Sequence, residues 1–221
     1  MTVQISRKLF LYGDSGKDFT KTAGLFTHAA GKESARIVLL MQGEAGWQKF
    51  YQKFQQIFET HGVTNITPIF PKGTSLYLDS DSLARIDEAT GIFVCGGYPY
   101  RYIKIYSENE SSELIKKAYY SGIPYAGISA GAILAMRLEL LKNCCLKPHF
   151  SEKNRFGELL NKLEKDKHRF ALGLDSGICL QIIDESDVTV CGSGKFYLFE
   201  HIGNKEYNLK IFNPGDTFSL K

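Results

Sequence analysis

Ser129 lies in Pro124–Ile133, PYAGISAGAI, where an apolar run (Ile123, Tyr125, Ala126, Ile128) leads into Gly127-Ile128-Ser129-Ala130-Gly131. Small residues and helix formers follow it, from Ala132 to Met136. This strand, sharp turn and helix is the pattern of a G-x-S-x-G nucleophile elbow. A serine on such a turn is held in a strained backbone conformation with its hydroxyl above the sheet edge. Flanking glycines let neighbouring backbone approach without a Cβ in the way. The helix that follows offers free N–H groups and a positive dipole end to a developing oxyanion. The competing structural reading is an ordinary βα turn with a serine cap.

A serine hydroxyl needs a base, and histidine is the usual one near neutral pH. The chain has five histidines. His28 and His61 fall on helices before the elbow and His168 in the charged stretch Lys165–Arg169; all three read as solvated. His201 lies in an aromatic strand beside Glu200. His149 differs, because it sits between Pro148 and Phe150 with a polar helix carrying Arg155 just beyond.

The elements that must position these residues alternate. Lys8–Tyr12, Arg36–Met41, Asn65–Phe70, Ile92–Cys95 and the run before Ser129 read as strands. Phe19–Ala30, Trp47–His61, Ser80–Ala89, Tyr98–Tyr106 and Ser111–Tyr120 read as helices from their apolar periodicity. Alternating strand and helix predicts a parallel sheet with helices on both faces and a site beyond the strands' carboxyl ends. Gly13–Gly16, Gly43–Gly46, Gly96-Gly97 and Ser129 all fall there. Gly16-Lys17 does not make a phosphate-binding loop, because Asp18 follows and no glycine stands five residues earlier. After the elbow come Leu140–Phe150, a polar helical stretch from Glu152 to about Lys167, and four strand-like runs. These are Leu174–Ile183, Val188–Cys191, Lys195–Ile202 and Tyr207–Phe212, joined by Gly, Asn and Asp turns into an added hairpin region.

In this order the motifs resemble the peptidase E and cyanophycinase group of serine peptidases, which are similar to class I glutamine amidotransferase domains with serine in place of the nucleophilic cysteine. The G-x-S-A-G-A elbow of that group is matched by Gly127–Ala132. Its double glycine about thirty residues earlier is matched by Phe93–Gly97, and its histidine about twenty residues later, with an arginine after it, by Pro148-His149-Phe150 and Arg155. The resemblance implies a three-layer α/β sandwich with a mostly parallel central sheet, flavodoxin-like, with extra C-terminal strands. It implies one domain over 1–221, extended from about residue 187. Ser129 would be the nucleophile, His149 the base, and Gly97 and Ala130 the oxyanion donors. Gly96, Tyr98, Arg101 and Arg155 would bind substrate, a small peptide or amide carrying an amino-terminal aspartyl residue, without cofactor or metal. The chain departs from the group twice. Tyr98-Pro99 stand where members carry Asn or Asp followed by Gln, and Ser176 stands where the histidine-orienting acid belongs, with Asp175 one position earlier. Asp175, Glu139, Asp184 and Glu185 are the acids whose spacing would let them substitute.

Two other readings use the same residues. A degenerate member would bind a small ligand or a protein partner without hydrolysis, as Ser176 and Tyr98-Pro99 favour. An α/β-hydrolase esterase would need His201 as its base. The whole chain, 221 residues with 43% hydrophobic and 23% charged content, suits one generous domain with a full core. A net charge of +3 without a basic run gives no support for nucleic-acid binding. Five cysteines without a C-x-x-C pair point to a reduced compartment, with Cys144 and Cys145 adjacent and Cys95, Cys179 and Cys191 inside apolar runs as buried small hydrophobes. The N-terminal stretch shows no apolar run ending in a cleavage site and no segment reaches spanning length, so a cytoplasmic monomer or homodimer away from membranes is expected.

Overall fold

The computed structural model describes residues 5–204 and 206–221. Met1–Gln4, part of the stretch read for a leader, lie outside them. Five short apolar runs form the parallel part of the main sheet: β1 (Lys8–Tyr12), β2 (Arg36–Leu40), β3 (Asn65–Ile69), β4 (Gly91–Val94) and β5 (Tyr125–Ile128). They lie in the order β3-β2-β4-β5-β1, and all four pairs of neighbours along that run are parallel. The side chains of β4 and β5 are buried throughout, as expected for strands covered on both faces.

Helices α1 (Phe19–Ala30) and α2 (Trp47–Glu59) cover one face. Phe93 of β4 packs there against Phe19, Phe26, Phe54 and Phe58, with ring centroids 5.2–6.1 Å away. Its neighbour Val94 points the other way, towards α6 (Ala130–Arg137), because successive strand residues face opposite sides. On that second side, α3 (Ser80–Asp87) packs on α5 (Glu110–Tyr120), and α4 (Pro99–Tyr106) lies between α5 and α6. The result is the three-layer, mostly parallel α/β arrangement that the sequence predicts.

The C-terminal third is distributed differently from the expected extension. β8 (Ile178–Ile183), β9 (Asp187–Gly192) and β12 (Thr217–Ser219) continue the main sheet beyond β1 in antiparallel sense. A second sheet, in the order β11-β10-β7-β6, comprises β6 (Cys144–Pro148), β7 (Phe170–Leu174), β10 (Phe196–Gly203) and β11 (Glu206–Phe212). α7 (Phe156–Asp166) packs on β6 and β7 over a small core of Cys145, Phe150, Leu159, Leu163, Tyr197 and Phe199. Leu174–Ile183, expected as one strand, is two strands in different sheets. The turn Asp175–Gly177 separates them, with Gly177 at φ +88°. Asp175 and Ser176 are therefore turn residues, and the alternation of a strand does not govern where they point.

All five cysteines are free. Burial raises the thiols of Cys144 and Cys145 to about 12, as suits packing residues rather than nucleophiles. Among the described residues no helix is long and apolar enough to cross a membrane.

Candidate active site

Ser129 stands between β5 and α6 at φ 52° and ψ −104°, a left-handed conformation that a non-glycine residue adopts only under constraint. Two features impose it. The Ser129 N–H donates to the carbonyl of Tyr12 at the end of β1 (3.0 Å), and its carbonyl accepts from Ile133 (3.2 Å). Gly131 lets α6 lie directly on the sheet, since a Cβ there would come within 2.3 Å of the Val94 carbonyl oxygen. The Tyr125 hydroxyl donates to the Gly131 carbonyl (2.8 Å) and ties strand to helix beneath the turn. Ala130, the first residue of α6, has an N–H without an acceptor inside the helix, and Gly97 lies across the same cleft.

His149 follows β6 and is itself at φ 50°. Its Nε2 is 3.1 Å from the Ser129 hydroxyl and its Nδ1 3.2 Å from the Ser176 hydroxyl. The neutral tautomer with the proton on Nδ1 satisfies both contacts: Nδ1–H donates to Ser176 and Nε2 accepts from Ser129. Burial holds the imidazole below its ordinary value, opposed by the nearby Asp14 carboxylate, so the ring is neutral and able to accept a proton near pH 7.

The loop carrying His149 is fixed by its neighbours. Phe150 is fully buried against Phe156 and Tyr197, at 4.5 and 5.1 Å between centroids, and its N–H donates to the Leu174 carbonyl. Asp175 accepts from the Ser151 N–H (2.9 Å) rather than touching His149. Arg155 donates to the Pro148 carbonyl (3.2 Å) and braces the loop from behind. Glu152 accepts from the Ser176 N–H (2.6 Å) and holds the turn.

The acid nearest His149 was not among those the spacing suggested. Asp14, in the loop after β1, places Oδ2 3.8 Å from Nδ1. Asp184 and Glu185 are engaged with Arg7, and Glu139 offers its carbonyl to Tyr120. Asp14 reaches His149 because Gly13 has no side chain: a Cβ there would fall 2.1 Å from the Asp175 carbonyl oxygen. The first turn of the chain thus rests on the turn that carries Ser176. Nothing in local sequence links Gly13-Asp14 with a histidine so far along the chain.

A cleft of about 540 Å³ opens over Ser129 at the carboxyl ends of β1, β2, β4 and β5. Gly96, Gly97, Ser129 and His149, four of the residues singled out in the sequence, line it. Tyr98, Arg101 and Arg155, expected to bind substrate, do not. Tyr98 is 69% exposed, and its backbone is clamped by Gln42, whose side chain accepts from the Tyr98 N–H (3.2 Å) and donates to its carbonyl (2.5 Å). Tyr102 and Tyr106 reach under the same loops, Tyr102 to the carbonyls of Leu40 and Gly96 and Tyr106 to those of Met41 and Ile69. The only sequence sign of these supports is a Gln-Gly at a strand end and two tyrosines one helical turn apart. His201 is exposed on β10 with its ring against Tyr207, outside the cleft, so it cannot serve as the base of an esterase arrangement. Among the described residues no group of three His, Cys, Asp or Glu side chains is disposed to hold a metal ion.

Comparison with known proteins bears on the family and the fold. The sequence model of peptidase family S51 matches residues 9–143, which take in the double glycine and the elbow but stop before His149 and Ser176. Cyanophycinase of Trichormus variabilis is 22% identical over 244 residues, spanning 93% of this chain and 81% of that protein. Peptidase E of Streptomyces coelicolor is 42% identical over 55 residues, 25% of this chain and 23% of that protein. The crystal structure of a peptidase from an acI-B1 Actinobacterium has the same fold, with a TM-score of 0.74 at 15% identity and 98% of both chains covered.

Proposed function

The chain belongs to peptidase family S51, whose members are serine-type peptidases, and from that premise we propose that it hydrolyses small peptides or amides through Ser129 and His149 by way of an acyl-enzyme. The observation that carries this reading is the 3.1 Å contact between the Ser129 hydroxyl and His149 Nε2, made by a serine held at φ 52°.

His149 Nε2 takes the hydroxyl proton as Ser129 Oγ bonds to the substrate carbonyl carbon. The carbonyl oxygen becomes an oxyanion facing the N–H groups of Gly97 and Ala130. His149 then gives the proton to the departing amine as the carbon–nitrogen bond breaks. Water, deprotonated by His149, attacks the ester and returns Ser129 with a free carboxylic acid. The imidazolium formed on the way donates from Nδ1 to Ser176 and lies beside the Asp14 carboxylate, which supplies the negative charge that Ser176 lacks. Ser176 also favours the second reading, a member that binds without hydrolysis.

Intact-mass labelling with a small fluorophosphonate separates the two without requiring the substrate. A single adduct on the native protein, lost in Ser129→Ala and His149→Ala, is expected. An unlabelled native protein beside a labelled control hydrolase would overturn the hydrolytic reading and count for the member that binds without hydrolysis.

A further inference from the structure

The charges and walls of the cleft are unlike what an aspartyl substrate needs. Its two carboxylates are Asp14 and Glu44, and no lysine or arginine is among the described residues that line it. Lys53 touches the rim through the Ser15 hydroxyl (3.3 Å), and Arg155 is turned back onto its own loop. An acidic side chain entering here would lose its water and meet like charge. A cation would meet opposite charge. Of the two carboxylates, Asp14 is engaged with His149 and with the Ser15 N–H (2.7 Å), whereas Glu44 is exposed and makes no ion pair among the described residues.

One wall is aromatic. Trp47, Phe50 and Phe54 project from one side of α2, at the spacing that places residues on a common helix face. Phe54 is buried in the main core and Trp47 rests on Phe70 at 4.7 Å between centroids. Phe50 stacks edge-on against Phe54 at 5.0 Å yet remains 39% exposed, so apolar area faces an open cleft.

We propose that this cleft selects a peptide whose amino-terminal residue carries a free ammonium group and a large apolar side chain, with Glu44 facing the ammonium and the wall of Trp47 and Phe50 covering the side chain. The assignment names the substrate of the reaction proposed above and replaces the acidic side chain that the family resemblance implied.

Calorimetric titration of the Ser129→Ala protein tests the selection by binding alone, while labelling of the native protein reports separately on catalysis. The probes are Phe-Ala, N-acetyl-Phe-Ala and Asp-Ala. Phe-Ala should bind about tenfold or more tighter than Asp-Ala, as covering one aromatic side chain supplies. Acetylation should weaken it about fivefold, in keeping with a partly exposed charge pair. Adding Glu44→Gln should remove the difference between free and acetylated peptide, and Phe50→Ala should weaken Phe-Ala without strengthening Asp-Ala. Tighter binding of Asp-Ala, failure of Phe-Ala to bind, or indifference to Glu44→Gln would overturn the proposal even if Ser129 labels normally.

Discussion

The imidazole of His149 is held by three groups from three loops: the hydroxyls of Ser129 and Ser176, and at longer range the Asp14 carboxylate. A hydroxyl can orient a ring but cannot offset the charge that the ring acquires, so in the proposed mechanism that role falls to the carboxylate. Loss of the acid from a complete triad costs on the order of ten-thousandfold. Asp14 stands 3.8 Å away and is 44% exposed, so Asp14→Asn is expected to slow fluorophosphonate labelling by about 10- to 100-fold. The direction of the pH effect distinguishes an electrostatic role from a structural one. Burial lowers the His149 value from the ordinary 6.5, and Asp14 opposes that lowering. Labelling of the native protein should therefore rise with pH through a midpoint below 6.5. In Asp14→Asn that midpoint should move lower still, because a charge favouring imidazolium has gone, while Asp14→Glu should restore it. The same depression makes the unfolded chain the stronger proton binder at this residue. The contribution of His149 to stability is thus present above the ordinary value and lost as pH falls below it.

At the scale of elements, the site depends on short loops pinned by buried side chains. Phe150 is the pin for the loop after β6: it fills the small core under α7, and its backbone is bonded to β7. Phe150→Ala should cost about 3–5 kcal/mol, as cavities left by buried aromatics do, and lower the unfolding midpoint. Labelling should fall with it although Ser129 and His149 are both retained. Gln42 plays the corresponding part for the loop after β4, with both polar atoms of its amide spent on Tyr98. Gln42→Leu should leave the Tyr98 N–H without its acceptor, while the Tyr98 carbonyl keeps the N–H groups of Arg101 and Tyr102, at a cost of about 1–3 kcal/mol measurable by denaturant unfolding. Its second effect should be slower labelling, since Gly97 belongs to the same loop.

For the molecule as a whole, sequence-distant segments must close on one another before the site exists. Arg7, ahead of β1, forms a two-pronged ion pair with Glu185 in the β8–β9 turn, and Glu185 also accepts from the Tyr119 hydroxyl on α5 (2.7 Å). This joins the start of the parallel sheet, its antiparallel continuation and a covering helix. Glu185→Gln should destabilise the protein by roughly 1–3 kcal/mol without changing the labelling rate of the folded protein, since it lies away from the cleft. Thermal unfolding and labelling measured on one preparation check both halves.

What the sequence determined by itself is local in origin. Periodicity and chain reversals predict α1 at Phe19–Ala30 and the parallel strands to within a residue or two, because apolar spacing and glycine stops act over a single turn or strand. Ser129 is legible because its glycine-flanked strand, turn and helix pattern is local, although the contacts that hold its conformation, with Tyr12 and Val94, are not. His149 is legible through its place between Pro148 and Phe150, with Arg155 shortly after. The tertiary structure alone decided the rest. Whether Leu174–Ile183 is one strand or two depends on which sheet each half joins. Arg155 reads as a substrate ligand or a surface ion pair, and only the fold sets the Pro148 carbonyl beside it. The Asp14–His149 contact spans most of the fold, and depends on a close approach between two turns that no local rule encodes. Long-range contacts of this kind are set by how the packed layers meet, and that is where the charge beside His149 and the acidic, aromatic character of the cleft originate.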